Sequence, residues 1–412
     1  MKTKFLCVHG HFYQPPRENP WLNEIEVQTS AYPYHDWNER ITAECYLPNC
    51  YGRIFKEKKV KKIFNNYSYM NYNFGPTLLM WLEKYRIEVY KEIINSDKLS
   101  MKIYNGHGSA IAQIFNHTIM PLANPQSKLL QVHWGIKDFE NRFNRLPEGM
   151  WLSETAVNSE TLETLVDNGI KFTILSPYQI NKVFSENKWI DVSNGSIDYT
   201  KPYKVILKNG KEIIIFVYDG YLSKSIAFDN LLQDGNKFIN SIKSRFKKDS
   251  KEQQLVTMAT DGETFGHHKK FGELALSYVF DSIEKKTDIK LCNLSLYISL
   301  KPKITEIKIK ENSAWSCAHG VGRWSDDCGC KIDPSKHWNQ KWRFYLRNAL
   351  NALKDKIDAF IDLKLSEFLP DKIHIDSLKN DYINVITENK TLVELLSTKI
   401  FFSALLPGNT CL

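Results

Sequence analysis

The chain lacks any run of about eighteen consecutive apolar residues, so no segment is predicted to cross a membrane as a helix. Near its start only four apolar residues stand together, Phe5–Val8, which is too few for the core of a signal peptide. Eight cysteines in 412 residues do not suggest a disulfide framework. These absences predict a reduced, cytoplasmic protein with no membrane partner.

Several common binding motifs are also missing. The sequence contains no Walker loop, no glycine fingerprint for a dinucleotide and no Gly-x-Ser-x-Gly elbow for a nucleophilic serine. The net charge of +8 comes from dispersed lysines, and the densest run, residues 56–62, is typical of a solvated face. A nucleic-acid footprint needs clustered charge, so no nucleic-acid partner is predicted. No cofactor is predicted either.

Strand-like and helix-like patterns alternate over the first 300 residues, which predicts an α/β protein with a parallel sheet. Helical patterns such as Pro76–Tyr85 and Ser127–Phe143 separate most of the strands. Seven such repeats predict a seven-stranded parallel β/α barrel, a distorted relative of the eight-stranded form. The predicted strands are Phe5–Val8, Tyr67–Asn73, Met101–Tyr104, Leu146–Trp151, Phe172–Leu175, Glu212–Tyr218 and Gln254–Thr260.

Residues whose side chains could take part in catalysis or binding follow the predicted strands and do not precede them. In α/β barrels the loops at the carboxyl ends of the strands form the active site. The same order is therefore expected to gather these side chains at one face. They are His9, His11, His107, Glu154, Tyr178, Asp219 and Asp261.

The pattern changes near residue 300. A strand-like segment, Lys303–Lys310, is followed by a loop rich in tryptophan and cysteine, and then by helical patterns at His337–Phe360 and Ile375–Leu396. We therefore predict a barrel domain over residues 1–300 and a mainly helical domain over 301–412. The last residues show no helix cap or closing element, which is typical of a truncated or frayed end.

Two carboxylates stand out at the predicted strand ends. Glu154 follows Trp151, and Asp261 opens the segment Thr-Asp-Gly-Glu. Two carboxylates brought together are what acid-assisted glycoside cleavage requires. The alternatives are structural: Glu154 could border the helix that follows it, and Asp-Gly is a common turn dipeptide. Residue type alone does not say which carboxyl group would be the acid.

Histidines form a second group with open interpretations. His9 and His11 alternate along the first strand, where they could bind a metal ion, contact sugar hydroxyls or serve the core. His107 and His117 bracket a polar segment and have the same two non-metal alternatives. A metal-dependent sugar deacetylase using His9, His11 and Asp261 is therefore one rival hypothesis, and a non-catalytic carbohydrate-binding barrel is another.

Four residues of the cysteine-rich loop could form a zinc site. Cys317, His319, Cys328 and Cys330 provide the right ligand types, but both pairs are spaced more tightly than the usual gaps of two to four residues. Alternatively, charged residues of the loop, such as Arg323, fix it against the barrel mouth, where Trp315 and Trp324 could stack on substrate. No metal ion is predicted from the sequence.

Taken together, these segments resemble glycoside hydrolase family 57. The resemblance spans roughly residues 5 to 350, and its blocks occur in the family's order. The sequence of Trp315–Trp324 resembles a branch of the family that carries an extra C-terminal domain of unknown function. The five blocks are His9–Trp21, Gly106–Leu122, Glu148–Glu154, Thr260–His267 and Trp315–Trp324.

The resemblance implies a retaining double-displacement mechanism on α-glucan or related α-galactoside substrates, with no metal in the chemistry. It implies that Glu154 is the nucleophile and Asp261 the general acid/base. Phe12 and Tyr13 are inserted in the first block, so the histidine that contacts sugar is not fixed. The residues predicted to bind the oligo- or polysaccharide are His9, His11, Gln14, His107, His117, Trp151, Tyr178, Asp219, Glu263, His267, Trp315, Arg323 and Trp324.

Overall fold

The computed structural model describes residues 3–368, 375–387 and 390–397, which form a mixed α/β fold with helices at the carboxyl end. Its strands are β1 (Lys4–Phe12), β2 (Gly52–Lys56), β3 (Lys59–Phe64), β4 (Asn71–Phe74), β5 (Ala112–Gln113), β6 (Met150–Trp151), β7 (Phe172–Leu175), β8 (Ile180–Ser185), β9 (Lys188–Asp191), β10 (Tyr203–Ile206), β11 (Glu212–Val217), β12 (Gln254–Asp261), β13 (Ile289–Leu291) and β14 (Thr305–Ile309).

Helices connect most of these strands, and a π-helical turn, Thr42–Tyr46, joins the first two helices. The α-helices are α1 (Trp37–Ile41), α2 (Leu47–Cys50), α3 (Pro76–Tyr85), α4 (Ile87–Ile103), α5 (Pro125–Phe143), α6 (Ser159–Asp167), α7 (Gly220–Ala227), α8 (Gly235–Ser244), α9 (Gly272–Lys286), α10 (Leu294–Ser299), α11 (Trp342–Phe368), α12 (Ile375–Asp381) and α13 (Ile383–Ile386).

Strand β1 is the centre of a four-stranded parallel sheet. It pairs with β12 along one side and with β13 and then β4 along the other. Its residues from Phe5 onward are buried, which explains why the segment is an uninterrupted apolar run followed by polar residues that point inward. The register places His11 opposite Asp261, so two candidate residues meet at the end of this sheet.

The remaining parallel strands follow one another but are weakly joined. A single bridge, Tyr72 to Ala110, links β4 towards β5, and another, Gly149 to Phe172, links β6 to β7. Strand β5 pairs with β6, and β7 pairs with β11. Because the pairing divides into four separate sheets, the structure does not confirm a closed seven-stranded barrel.

One predicted strand is wrong. Met101–Tyr104 lies at the end of α4, and the short strand β5 occupies the corresponding place further along the chain. The buried positions of α4, including Val89, Ile93 and Ser100, recur every three or four residues, so the helical pattern continues to the end of α4, where Lys102 and Ile103 are exposed. Two others are shortened to β4 and β6.

The carboxyl-terminal helices contact α5 and the segment that precedes it. The Trp134 indole N–H donates to the carbonyl of Lys379 at 3.1 Å, and Arg347 donates to the carbonyl of Leu122 at 2.6 Å. Most apolar side chains of α11 remain exposed in this structure. Within the described ranges, no helix is both long and apolar enough to span a bilayer.

Helix α5 approaches β5 closely at Gly135, and this contact is testable. A Cβ atom there would lie 2.1 Å from the carbonyl oxygen of Gln113, a backbone atom that cannot turn aside. We expect Gly135→Ala to lower the free energy of unfolding by about 1–3 kcal/mol in urea denaturation. Asn141→Ala, on the exposed face of the same helix, is the control and should change it by less than about 0.5 kcal/mol. Equal stability of Gly135→Ala and the wild type would contradict this packing.

Candidate active site

A cavity of about 730 Å³ opens at the carboxyl ends of several parallel strands. Its walls come from the segments after β6, β7, β11 and β12, and from the loop that follows β14. Six residues predicted from the sequence to act at the site line it: Glu154, Tyr178, Asp219, Asp261, Trp315 and Arg323.

Glu154 lies in a 3₁₀ turn directly after β6, with a left-handed backbone (φ 57°). Its Oε2 accepts hydrogen bonds from the Trp315 indole N–H at 3.2 Å and from the Ser316 hydroxyl at 2.5 Å. The backbone N–H of Trp315 also donates to the Glu154 carbonyl at 3.1 Å. The loop after β14 therefore holds both the strained turn and its carboxylate.

The helix-capping alternative for Glu154 is not supported. Helix α6 is capped by Asn158, whose side-chain oxygen accepts from the backbone N–H of Thr161 at 3.0 Å. Among the described residues, no hydrogen bond reaches Oε1 of Glu154. Glu154 itself lines the cavity.

Asp261 ends β12 and presents its carboxyl group to the same cavity. The residue keeps accessible surface at the cavity, although protein atoms surround the carboxyl group closely. This burial, and secondarily the charge of Glu154, raise the pKa of Asp261 to about 6. The carboxyl group makes no helix-capping hydrogen bond, so the turn alternative does not account for it.

Glu263 is adjacent but is not part of the cavity wall. Its Oε1 accepts from the Tyr46 hydroxyl at 2.7 Å and from the backbone N–H of Tyr13 at 3.1 Å. Burial, opposed in part by the Tyr46 hydrogen bond, raises the pKa of Glu263 to about 7. The structure thus assigns this residue to a buried network behind Asp261.

A chain of neutral polar side chains runs beneath the cavity. Asn71 donates to His9 Nδ1 (2.9 Å), His9 Nε2 lies 3.1 Å from Asn73 Oδ1, and the Asn73 amide lies 2.8 Å from His11 Nδ1. Since His11 Nδ1 accepts, its Nε2 carries the proton and donates to His117 Nε2 at 3.1 Å. Burial lowers the pKa of His9 to about 3 and of His117 to about 4, so the chain is uncharged near pH 7.

Aromatic rings pack on this chain. The Trp151 ring stacks on those of His9 and His11 at 4.7 and 5.1 Å, and its edge meets Trp315 at 5.1 Å. Trp151 is fully buried, so it supports Trp315 from behind. Its indole N–H has no partner among the described residues.

Several other predicted sugar contacts have protein partners. His107 pairs with Glu148 at 2.8 Å, and His267 pairs with Glu44 at 2.5 Å. Gln14 accepts from Arg17 at 2.5 Å. None of these side chains lines the cavity, and Trp324 packs instead in a small apolar cluster with Ala156, Ala314 and Val321.

Asp219 lines the cavity, but both of its oxygens are engaged. Oδ1 caps α7 through the N–H groups of Tyr221 and Leu222, and Oδ2 accepts from Arg245 at 2.5 Å. Sequence reasoning missed Ser316, Arg245 and the two asparagines of β4. The Asn-x-Asn alternation opposite His-Gly-His was the available signal for the asparagines.

The metal-centre hypothesis for the first strand finds no support in the geometry. In the described part of the chain, one group of three or more converging His, Cys, Asp or Glu ligand atoms occurs, at Cys317, His319, Cys328 and Cys330. It does not include His9, His11 or Asp261. Both ring nitrogens of His9 are engaged by asparagine amides.

The comparisons with known proteins identify the family. The model of glycosyl hydrolase family 57 matches residues 5–310. The chain belongs to this family. A second model, for a domain of unknown function (DUF3536), matches residues 338–401.

Individual relatives of this family 57 chain are distant. An α-amylase of Pyrococcus horikoshii is 25% identical over 233 residues, which cover 55% of this chain and 33% of that protein. The chain therefore spans about a third of the length of this curated relative.

Solved structures show the fold. The exo-type maltose-forming amylase of Pyrococcus sp. ST04 has a TM-score of 0.71 at 17% identity, covering 97% of this chain and 71% of that one. The family 57 branching enzyme of P. horikoshii has a TM-score of 0.60 at 15% identity, covering 98% and 89%.

The neutral state of His117 predicts a pH dependence of stability. The pKa of His117 is about 4 in the folded protein and ordinarily 6.5, so the unfolded chain binds more protons between these two pH values. The stability of the wild type therefore decreases as the pH is lowered. His117→Asn, which suits the positive φ at this position, removes this contribution. Its unfolding free energy should fall by about 2 kcal/mol less between pH 6.5 and pH 5.

Urea denaturation at these two pH values measures the difference. His337→Asn, at an exposed histidine, is the control and should follow the wild type. A His117→Asn variant with the wild-type pH dependence would show that this ring titrates normally.

Proposed function

We propose that this chain cleaves or transfers α-linked glucan by a retaining double displacement, with Glu154 as nucleophile and Asp261 as general acid/base. The observation that carries the proposal is that two carboxyl groups share one cavity in different environments. Glu154 is held by two hydrogen-bond donors, while burial and the charge of Glu154 raise the pKa of Asp261 to about 6. Glycoside cleavage needs one ionised carboxylate and one proton donor.

In the first step, Oε1 of Glu154 bonds to the anomeric carbon while the glycosidic C–O bond breaks. Asp261 gives its proton to the departing oxygen. Trp315 and Ser316 leave Oε1 as the free oxygen because both bind Oε2. A carboxyl separation of about 5–5.5 Å is expected for this retaining geometry.

In the second step, Asp261, now ionised, takes a proton from water or from an acceptor hydroxyl. The oxygen of that molecule bonds to the anomeric carbon, and Glu154 departs as a carboxylate. Water gives hydrolysis, and a second sugar gives transfer. The same two residues serve both outcomes, so the acceptor decides the product.

The cavity walls support a carbohydrate substrate. Trp315, Tyr178 and Tyr221 supply aromatic surface for sugar rings, while Arg323 and Lys224 supply hydrogen-bond donors. The relatives named above are an amylase, a maltose-forming amylase and a branching enzyme, and a 4-α-glucanotransferase of Thermococcus litoralis also shares the fold at a TM-score of 0.55. These support an α-glucan as the substrate class.

The finer architecture belongs to the same proposal. We infer a seven-stranded barrel in the order β12, β1, β4, β5, β6, β7, β11, closed by the hydrogen bond from the Asp219 N–H to the Thr257 carbonyl at 2.7 Å. The division between a catalytic domain and a helical domain near residue 300 also stays a prediction.

The test is a product profile on maltoheptaose and amylose for the wild type, Glu154→Gln and Asp261→Asn. Loss of the nucleophile should lower kcat by about 10³-fold or more, and loss of the acid/base by about 10²–10⁴-fold. Nuclear magnetic resonance of the first product should show a retained α-anomer in the wild type.

Two exposed carboxylates far from the cavity give matched controls, Glu57→Gln and Asp249→Asn, which should keep wild-type turnover. Equal turnover in all variants would overturn the assignment. Tight binding of the oligosaccharide by a wild type that turns over no glucan would instead indicate a non-catalytic binding protein.

A further inference from the structure

We propose that Cys317, His319, Cys328 and Cys330 bind one structural zinc ion in the loop beside the active-site cavity. The four ligand atoms, three sulfurs and one imidazole nitrogen, lie within 4.8 Å of one another. Cys317 is buried, Cys328 and Cys330 are partly exposed, and His319 is exposed. This is the one converging group of metal-ligand type in the described ranges, and it lies outside the catalytic pair.

The distances match a tetrahedral site. With Zn–S bonds of about 2.3 Å and a Zn–N bond of about 2.0–2.1 Å, ligand atoms at tetrahedral corners are about 3.8 Å (S to S) and about 3.6 Å (S to N) apart. Here Cys317 Sγ lies 3.9 Å from Cys330 Sγ, and His319 Nδ1 lies 3.5 and 4.0 Å from the sulfurs of Cys330 and Cys317. An ion at the centre would need little movement of the side chains.

The tight sequence spacing is explained by the path of the loop. Each short pair, Cys317-x-His319 and Cys328-x-Cys330, supplies two ligands from one three-residue segment. The turn between the pairs, with a 3₁₀ helix at Gly322–Trp324, brings the two segments together. Gly329 has φ +76°, a conformation that other residues rarely adopt, and it lets both flanking sulfurs face the same point.

The surroundings of the four ligands suit a zinc site with three thiolates, and the apolar packing beside the loop is limited. Three thiolates and a neutral imidazole leave a zinc site with one net negative charge, and Arg343 Nη1 lies 3.9 Å from Cys328 Sγ. The apolar cluster nearby is small: Ala156, Ala314 and Val321 are buried, and Ile119, Leu122 and Trp324 pack against them. Sulfur and imidazole ligands in a closed set of four favour zinc over calcium or magnesium.

The site has a direct connection to the cavity. Cys317 follows Trp315 and Ser316, the two residues that donate to Glu154. Zinc would therefore fix the segment that orients this carboxylate, which makes its ligands positioning residues. This last step rests on the proposed role of Glu154, whereas the metal site itself does not.

Metal analysis of the full-length protein, purified without chelators, tests the site. About one equivalent of zinc per chain is expected, and Cys330→Ser and His319→Ala should each lose most of it. The controls are His337→Ala, an exposed histidine of the same region, and Cys50→Ala, a cysteine remote from the loop; both should retain zinc. Cobalt added to the reduced, metal-free protein should give the absorption of tetrahedral thiolate coordination.

Two outcomes overturn the proposal. One is a reduced protein that binds neither zinc nor cobalt at one equivalent, and the other is a Cys317–Cys330 disulfide found by mass mapping of the protein purified under reducing conditions. The coupling is tested separately: Cys330→Ser should lower kcat at least tenfold while Glu154→Gln keeps full zinc content. Zinc bound with wild-type turnover in Cys330→Ser would retain the site and refute its positioning role.

Discussion

The burial of the Asp261 carboxyl group beside the charge of Glu154 is the constraint on which the proposed site depends. It arises because the turn after β6 and the end of β12 open into one cavity. Burial and the charge of Glu154 then raise the pKa of Asp261 to about 6. The two carboxyl groups, which residue type alone does not distinguish, thereby lie in different environments.

The polar chain beneath Glu154 and Asp261 adds no positive charge that would offset the charge of Glu154. The chain from Asn71 through His9 and His11 to His117 is held neutral by burial, and burial also raises the pKa of Glu263 to about 7. Arg245, one of the cations on the wall, is already paired with Asp219. Glu154 is therefore stabilised by dipoles from Trp315 and Ser316, supplied by a loop far along the chain.

The sequence predicted the parts of the fold that are buried on both sides. The strand Phe172–Leu175 was predicted with the bounds the structure has, and Phe5–Val8 lies within β1. The strand predicted at Met101–Tyr104 is wrong because a pattern of four residues cannot distinguish a strand from the end of a helix. The sequence could not predict which side chains pair. Only the folded chain shows that Arg245 donates a hydrogen bond to Asp219, and that Asn158 and not Glu154 caps α6.

The most direct measurement is the titration of Asp261 by carbon-13 nuclear magnetic resonance of its carboxyl group, in the wild type and in Glu154→Gln. We expect an apparent pKa near 6 in the wild type. It should fall in Glu154→Gln, because the repulsion is lost, but stay above the ordinary 3.8, because burial remains. A wild-type value near 3.8, or a value unchanged by Glu154→Gln, would contradict the account.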